Sequence, residues 1–335
     1  MRLRLIAFLL CFTLLLAGCQ TNSSGEGDEP IPVRLFEVTH SLFYAPQYVA
    51  LELGFFKEEG LDVQLTTAFG GDKTMTALLS GEADIILVGT ETTIYVAQQE
   101  ASDLAINFAQ LTQTDGTFLV SREPIENFQW EMLRGRVLLG QRKGGMPQMV
   151  SEYVQHVQGL VPHEDLEIIQ NIDFANLGTA FISGTGEFAQ LFEPVASKIE
   201  LEGHGHVVAS FGESSGNLPY TVYITKASMI EQNPTVVQQF TNAIYRAQIW
   251  VNEHSIEELA QVIQPAFPDI EQELLIKVLE RYKNQGSWAT DPIIDETEYH
   301  HLEEVMELAG ELPKKVPYEL IINTQFAKAA MEQGR

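Results

Sequence analysis

Apolar and polar residues follow one another after residue 30 in an order that predicts alternating strands and helices. Residues 61–65 alternate between apolar and polar side chains, as in a half-buried strand. Pro46 suits the first turn of a helix and Gly54 its end, and Gly81 follows a second helical segment. The predicted elements are strands at 33–38, 61–65 and 84–88, and helices at 41–54 and around 75–79.

The same order of elements returns in the next hundred residues. Strands are predicted at 135–141 and 166–170, and helices at about 149–157 and 175–182. The stretches "SGEADIILVGTE" and "SGTGEFAQLFEP" share a Ser-Gly pair, an acidic residue before an apolar run, and a second acidic residue after it. This similarity predicts two α/β lobes of the same architecture. Asp84 and Glu187, at matching positions, are interpreted as structural turn residues.

Each lobe should place its polar residues where its strands end. Ligands of parallel α/β sheets bind at the carboxyl ends of the strands, so the rims at residues 89–92 and 193–194 are predicted to face each other across a central cleft with a hinge. The segment 219–225 is interpreted as a strand that crosses back. The expected lobes are 31–122 with 219–335 as lobe 1, whose last helices pad it, and 123–218 as lobe 2.

The first residues have the features of an export signal. Arg2 and Arg4 precede an apolar run at 5–16 that is short for a membrane span, so residues 1–18 are interpreted as a signal peptide. The sequence "LAGC" resembles the bacterial lipobox, which implies a lipid on Cys19 and attachment to the outer face of the cell membrane. Residues 19–30 are small, polar and acidic and should form a tether.

Charge and cysteine content exclude several kinds of protein. The chain has 20 basic and 46 acidic side chains, and removal of the leader leaves 18 against 46, a net charge of −28. Such a field disfavours nucleic acid. The two cysteines, Cys11 and Cys19, both lie in the leader region, so the folded part should contain no disulfide. No cofactor or metal site is expected, although "HGH" at 204–206 is a weak candidate pair.

Three stretches resemble a known family of transport proteins. "FYAPQYVALELGFFKEEGLDVQL", "GGDKTMTALLSGEADIILVG" and "SGTGEFAQLFEP" are similar to the exported substrate-binding proteins of ABC importers for thiamine-pyrimidine precursors, sulfonates, taurine and nitrate. The resemblance covers residues 33–325. It implies the type II periplasmic-binding-protein fold, no enzymatic activity, and a permease and an ATPase as partners. "LPYTVYIT" and the Gly-Gly-Met-Pro loop are most like the branch that binds formylaminopyrimidine.

The polar and aromatic residues at the rims suit such an aminopyrimidine. Aromatic faces can stack on the ring, and a carboxylate can accept from its amine. Tyr44, Tyr48 and Tyr220 are the predicted aromatic contacts, and Glu91 and Glu193 the predicted acceptors. Core packing is the alternative for the tyrosines. A helix cap at Pro194 is the alternative for Glu193, and favourable interaction with a helix dipole is the alternative for Glu91.

Loop residues complete the predicted site. His40 and Ser41 follow the first strand, and Thr90 lies between Gly89 and Glu91. In lobe 2, Gly145, Met146 and Pro147 could direct backbone N–H groups at a ligand oxygen, although a plain turn also needs glycine. His40 could instead make a structural hydrogen bond.

Other functions stay open at this point. A binding protein for riboflavin, taurine or another sulfonate would have the same architecture. Eukaryotic relatives of the family synthesise the thiamine pyrimidine and carry a cysteine-rich iron motif. This chain has only Cys11 and Cys19, both in the leader region, and so lacks that motif.

Overall fold

Two five-stranded sheets organise the folded part of the chain. The computed structural model describes residues 29–99 and 101–334, so the predicted signal peptide, Cys19 and most of the tether lie outside the described residues. The ten strands, labelled β1 to β10, are Ile31–Glu37, Leu61–Thr67, Ile85–Gly89, Ala105–Thr112, Thr117–Ser121, Val137–Leu139, Glu167–Ile169, Phe188–Phe192, His206–Ser210 and Thr221–Lys226.

The first sheet has the strand order β2-β1-β3-β10-β4. Strands β1, β2 and β3 are parallel, and β10 runs antiparallel between β3 and β4. All five residues of β3 are buried, which explains its uninterrupted apolar sequence. This sheet is the centre of lobe 1.

The second sheet has the order β7-β6-β8-β5-β9 and repeats that plan. Its three parallel strands β7, β6 and β8 are followed by the antiparallel β5. The predicted boundary at residues 122/123 is wrong, because β5 (Thr117–Ser121) pairs with β8 and β9 of lobe 2. The chain crosses between the sheets after Thr112 and returns before Thr221.

Equivalent ion pairs support the repeated architecture of the lobes. Arg34 in β1 contacts the Asp84 carboxylate before β3, and Arg136 contacts Glu187 before β8 at 2.6 Å. Asp84 also accepts from the Arg34 backbone N–H, and Glu187 accepts from the Val137 N–H. Both acidic residues thus fix the start of a strand, as predicted from their matching positions.

Helices cover both sheets and form the C-terminal part. Their ends follow ordinary capping rules: Gly81 ends one helix with φ +83, and Ser255 and Glu258 form a capping box at another. The described helices are Ala45–Glu52, Phe55–Glu58, Gly71–Ser80, Glu91–Ala97, Met146–Val157, Leu177–Ile182, Val195–Leu201, Phe211–Ser215, Ala227–Gln232, Pro234–Glu253, Ile256–Ile263, Gln272–Gln285, Glu296–Leu308, Tyr318–Ile321 and Gln325–Gln333. Among these, no helix has the length and apolar character needed to span a membrane.

The C-terminal helices do not pad lobe 1 alone, contrary to the prediction. Helix Pro234–Glu253 packs on the first helix of lobe 1, but Gln272–Gln285 contacts the lobe 2 helix Val195–Leu201. Helix Glu296–Leu308 packs against Met146–Val157 of lobe 2. The C-terminal region therefore bridges both lobes.

Candidate ligand-binding site

The carboxyl ends of the parallel strands in the two sheets face each other. The Phe43 ring, after β1, lies 6.0 Å from the Phe192 ring at the end of β8. The Tyr95 hydroxyl of lobe 1 donates to the Gly144 carbonyl of lobe 2 at 3.4 Å. The two lobes are thus in contact through side chains at the carboxyl ends of their strands and in the segments that follow them.

Glu91 lies in this interface and is buried, with 6% of its surface exposed. A Cβ atom at Gly89 would lie 2.0 Å from Glu91 Oε2, so the glycine makes room for the carboxylate. Burial raises the pKa of the Glu91 carboxyl to about 7, and backbone N–H groups of Glu91 and Met146 partly oppose this. Glu91 Oε2 makes no hydrogen bond to any residue that the structure describes.

Asp115, which is not among the predicted site residues, lies on the segment that joins β4 to β5. Its side chain is fully buried, and Oδ1 accepts from the Thr117 N–H at 2.6 Å and from the Thr117 hydroxyl. Burial raises the pKa of the Asp115 carboxyl to about 6, and the Thr117 hydrogen bonds and the nearby Tyr220 hydroxyl oppose this rise. Within residues 29–99 and 101–334, Asp115 Oδ2 has no hydrogen-bond partner.

Two further buried groups complete what we call the cleft polar set: Glu91, Asp115, Gln190 and Tyr220. Gln190 Nε2 donates to the Thr117 hydroxyl at 2.9 Å and to the Pro147 carbonyl at 2.8 Å, which ties it to Asp115 through Thr117. Burial raises the pKa of the Tyr220 phenol, and nearby Asp115, Glu91 and Tyr44 raise it further. Gln190 Oε1 and the Tyr220 hydroxyl have no hydrogen-bond partner in the described part of the chain.

Aromatic rings surround the cleft polar set. Phe43 lies 5.6 Å from Tyr220 and 5.9 Å from Tyr44, measured between ring centroids. Phe192 of lobe 2 contacts Phe43, and the half-exposed Phe174 lies 5.6 Å from Phe192. Tyr44 lies near Glu91, and Tyr220 lies near both Asp115 and Glu91. Their contact with a ligand stays a prediction, and Phe43 and Phe192 are additional rings.

Glu193 does not belong to this set, which corrects its assignment as the leading acceptor. Its carboxylate accepts from the Ser197 N–H and hydroxyl, each at 2.8 Å, and from Arg281 at 2.5 Å. The Glu193 side chain is fully buried, so these three donors compensate its desolvation. The alternative interpretation, a cap for the helix after Pro194, is the one that the contacts support.

His40 and Tyr48 make their polar contacts with Glu37, with the Ala266 carbonyl and with each other, and none with the cleft polar set, so their assignment to the ligand site is also corrected. The Tyr48 hydroxyl donates to Glu37 Oε2 at 2.7 Å, and His40 Nδ1 lies 3.3 Å from Glu37 Oε1. His40 Nε2 donates to the Ala266 carbonyl at 2.8 Å and its ring stacks on Phe267. Glu37 is fully buried, and its two carboxylate oxygens also accept from Gln47 and Thr67, so its hydrogen-bond partners all lie within lobe 1 apart from the C-terminal contact of His40.

The contacts of His40 make the stability of the protein dependent on pH. Its hydrogen bond to Glu37 raises the pKa of His40, since the imidazolium can donate from both nitrogens. The stabilising effect is therefore complete below the pKa of the unfolded state, near 6.5, and is lost as pH rises through the higher pKa of the folded state. We expect denaturation curves between pH 6 and 8.5 to show a fall in unfolding free energy that is smaller in His40→Gln. The same fall in both proteins would contradict this role.

The remaining predicted residues lie at the rims with structural contacts of their own. The Ser41 hydroxyl accepts from the Phe43 N–H and caps the short 3-10 helix Leu42–Tyr44. The Thr90 hydroxyl donates to the Pro219 carbonyl at 2.6 Å, so it joins the rim of lobe 1 to the returning segment. Their direct contact with a ligand stays a prediction.

The glycine-rich loop of lobe 2 is also at the interface. Gly145 precedes the helix Met146–Val157, whose first N–H faces Glu91, and the Pro147 carbonyl accepts from Gln190. The loop thus touches two members of the cleft polar set. In the described ranges, no group of three or more His, Cys, Asp or Glu side chains is placed to hold a metal ion.

Comparison with known proteins gives two relatives. The chain is 55% identical over 296 residues to a putative binding protein of Bacillus subtilis (strain 168), covering 88% of this chain and 89% of that protein. It is 23% identical over 299 residues to a formylaminopyrimidine-binding protein of Halalkalibacterium halodurans, covering 83% of this chain and 86% of that protein.

Comparison with solved structures bears on the fold. The ligand-binding component of an ABC-type import system from Staphylococcus aureus matches with a TM-score of 0.73 at 12% identity, over 90% of this chain and 99% of that chain. Together with the two sheet orders, this likeness confirms the predicted periplasmic-binding-protein fold. The family model described as "NMT1/THI5 like" matches residues 43–257, which is more than half of the chain. With that match and a 55% identical relative, this chain belongs to the NMT1/THI5-like family.

Proposed function

We propose that this chain is the non-catalytic solute-binding lipoprotein of an ABC importer. It binds a thiamine pyrimidine precursor, formylaminopyrimidine, outside the cell for salvage into thiamine synthesis. The lipobox-like sequence at Cys19 would hold it on the outer face of the membrane, where it meets a permease and its ATPase. Support for the importer comes from the likeness to the Staphylococcus aureus component, and support for the ligand comes from the Halalkalibacterium halodurans relative.

One observation carries the choice of ligand: the cleft polar set places two buried carboxylates beside aromatic rings at the junction of the lobes. Glu91 Oε2 and Asp115 Oδ2 make no hydrogen bond to the residues described. A buried polar atom without a hydrogen-bond partner raises the free energy of the protein. A ligand that donates N–H groups to such atoms removes this cost, which adds to the free energy of its own contacts. An aminopyrimidine supplies such donors on a flat ring that can pack against Phe43, Tyr44 and Tyr220.

The same observation disfavours an anionic ligand. A sulfonate or nitrate in this position would face both carboxylates, and repulsion from their ionised forms would oppose its binding. Helix N-termini and arginine or lysine side chains are the usual partners of such anions. Arg281 is already bound to Glu193 and Glu200, and Lys143, next to the Gly-Gly-Met-Pro loop, lies 3.7 Å from Glu311.

Calorimetry with purified protein tests the proposal. We expect the wild type to bind formylaminopyrimidine and to give no heat with taurine or riboflavin. Glu91→Gln should weaken pyrimidine binding about tenfold, which is the effect of losing one charged hydrogen bond. Glu187→Gln is the matched control, because Glu187 is a partly exposed acid at the amino end of β8, and it should bind as the wild type does.

Two results would contradict the proposal. Tight binding of taurine without binding of the pyrimidine would refute the ligand and leave the fold untouched. Equal pyrimidine affinity in Glu91→Gln and the wild type would show that the buried carboxylate is a structural element of the lobe 1 rim.

A further inference from the structure

Two segments join the sheets, and each carries one member of the cleft polar set. Asp115 lies between β4 and β5, and Tyr220 immediately precedes β10. Both are buried, with 0% and 3% of their surfaces exposed. A ligand bound between the lobes would meet these segments at the base of the cleft, whichever lobe moves.

The Asp115 carboxylate is held in place on one side only. Thr117 donates twice to Oδ1, and Gln190 donates to Thr117 in turn. The Asp115 backbone carbonyl accepts from Gln285 Nε2 at 2.6 Å. Oδ2 and the Tyr220 hydroxyl lie close enough for each to shift the pKa of the other, but neither makes a hydrogen bond of ordinary geometry to any of residues 29–99 and 101–334. A fixed acceptor beside a hydroxyl that can donate or accept is a preorganised place for a polar group.

The surroundings of Asp115 restrict the shape of that group. A Cβ atom at the neighbouring Gly116 would lie 2.8 Å from the Phe43 ring and 2.9 Å from the Phe192 ring. The two rings, one from each lobe, therefore close directly over the segment that carries Asp115. A flat group whose edge bears N–H donors can pack against an aromatic face and at the same time reach an acceptor in its own plane.

We propose that Asp115 and Tyr220 form a subsite for an amino or amidine nitrogen on the edge of a flat ligand. This inference rests on the proposed function, because it concerns the same cleft and names the chemistry that the ligand must present. Asp115 is a specificity residue here: its carboxylate accepts from the ligand N–H, and the Tyr220 hydroxyl pairs with the adjacent ring nitrogen. The cleft thus distinguishes an amine from an oxo group at that position.

Calorimetry with paired probes tests the subsite. The probes are 4-amino-2-methylpyrimidine, its 4-oxo analogue and benzamidinium. We expect the wild type to prefer the amino compound to the oxo analogue. Asp115→Asn should bind the amino compound and benzamidinium about tenfold more weakly than the wild type. Its affinity for the oxo analogue should be unchanged. Asp62→Asn, on an exposed position of β2, is the matched control and should retain the wild-type preference.

Each other outcome overturns the subsite. Equal losses for the amino and oxo compounds in Asp115→Asn would mean a general structural effect, and unchanged binding of both would mean that the carboxylate does not reach the ligand. If Asp115→Asn does not fold, Tyr220→Phe removes only a hydroxyl and should reduce the preference for the amino compound about threefold; an unchanged preference refutes the proposal.

The outcomes for the two proposals are distinguishable. Binding of formylaminopyrimidine to the wild type and to Asp115→Asn with the same affinity refutes the subsite and leaves the proposed function standing. Failure of formylaminopyrimidine to bind, with retained and Asp115-dependent binding of benzamidinium, refutes the proposed ligand and leaves the subsite standing. Absence of binding for all three probes in the wild type refutes the subsite.

Discussion

Replacing Arg281 by methionine is expected to lower the free energy of unfolding by about 3–5 kcal/mol, the range for breaking a buried ion pair. Arg281 donates to Glu193 Oε1 at 2.5 Å and to Glu200 Oε2 at 2.9 Å, and the Glu193 side chain is fully buried. The substitution removes the only positive charge in contact with Glu193 among the described residues, while the carboxylate stays desolvated. Urea denaturation of the two proteins measures the difference.

The matched control for this variant is Arg136→Met. Arg136 makes an ion pair with Glu187 at 2.6 Å, but both side chains are about half exposed, so the loss should be about 0–1 kcal/mol. The double variant Glu193→Gln, Arg281→Met should lose less than the sum of the two single changes, because the uncompensated charge is gone. Additive losses, or equal losses at Arg281 and Arg136, would refute the assignment of a buried ion pair.

Gly212→Ala is expected to destabilise the protein by about 1–3 kcal/mol, the range for an extra methyl group in a packed interior. The added Cβ atom would lie 2.4 Å from the Asp115 backbone carbonyl and 2.6 Å from Gln285 Nε2. These two groups are hydrogen bonded to each other, so the methyl group must displace the support of the Asp115 segment. We expect weaker pyrimidine binding in the same variant, measured by calorimetry.

Gly71→Ala is the control for Gly212→Ala. It also lies in a helix, but its nearest neighbour, a methyl group of Val88, would be at 3.4 Å, an ordinary contact. Its unfolding free energy should change by no more than about 0.5 kcal/mol. If Gly212→Ala is as stable as Gly71→Ala and binds normally, the Asp115 segment is not held as the contacts indicate.

The parts of the fold that depend on local sequence could be predicted. The apolar run Ile85–Gly89 and the Ser80-Gly81 pair at the end of a helix are signals that act within a few residues, and the corresponding strand and helix are present. The repeated order of strands and helices also predicted that there are two lobes, each with its own sheet. The error at residues 122/123 arose because β5 follows β4 after only four residues, and nothing in that short segment shows that the second strand joins another sheet.

The polar residues of the site were harder to predict, because their roles depend on distant partners. Arg281, which neutralises Glu193, is 88 residues away, and the Ala266 carbonyl that holds His40 is 226 residues away. Asp115 precedes a glycine and is typical of a turn in sequence. Only its position between the sheets, with Gln285 behind it, distinguishes it from a turn residue. Glu91 was selected correctly as a rim residue because it directly follows a buried strand.

The bridging of both lobes by the C-terminal helices has a kinetic consequence. His301 donates from Nε2 to the Ser215 carbonyl at 2.8 Å, and its ring meets the Tyr153 ring at 5.3 Å, far along the chain from the residues that would touch a solute. A separation of the sheets that moved helix Glu296–Leu308 away from lobe 2 would have to break these contacts. We therefore expect substitutions at His301 to change the rate at which a bound solute is released, and substitutions in the cleft polar set to change which solute binds.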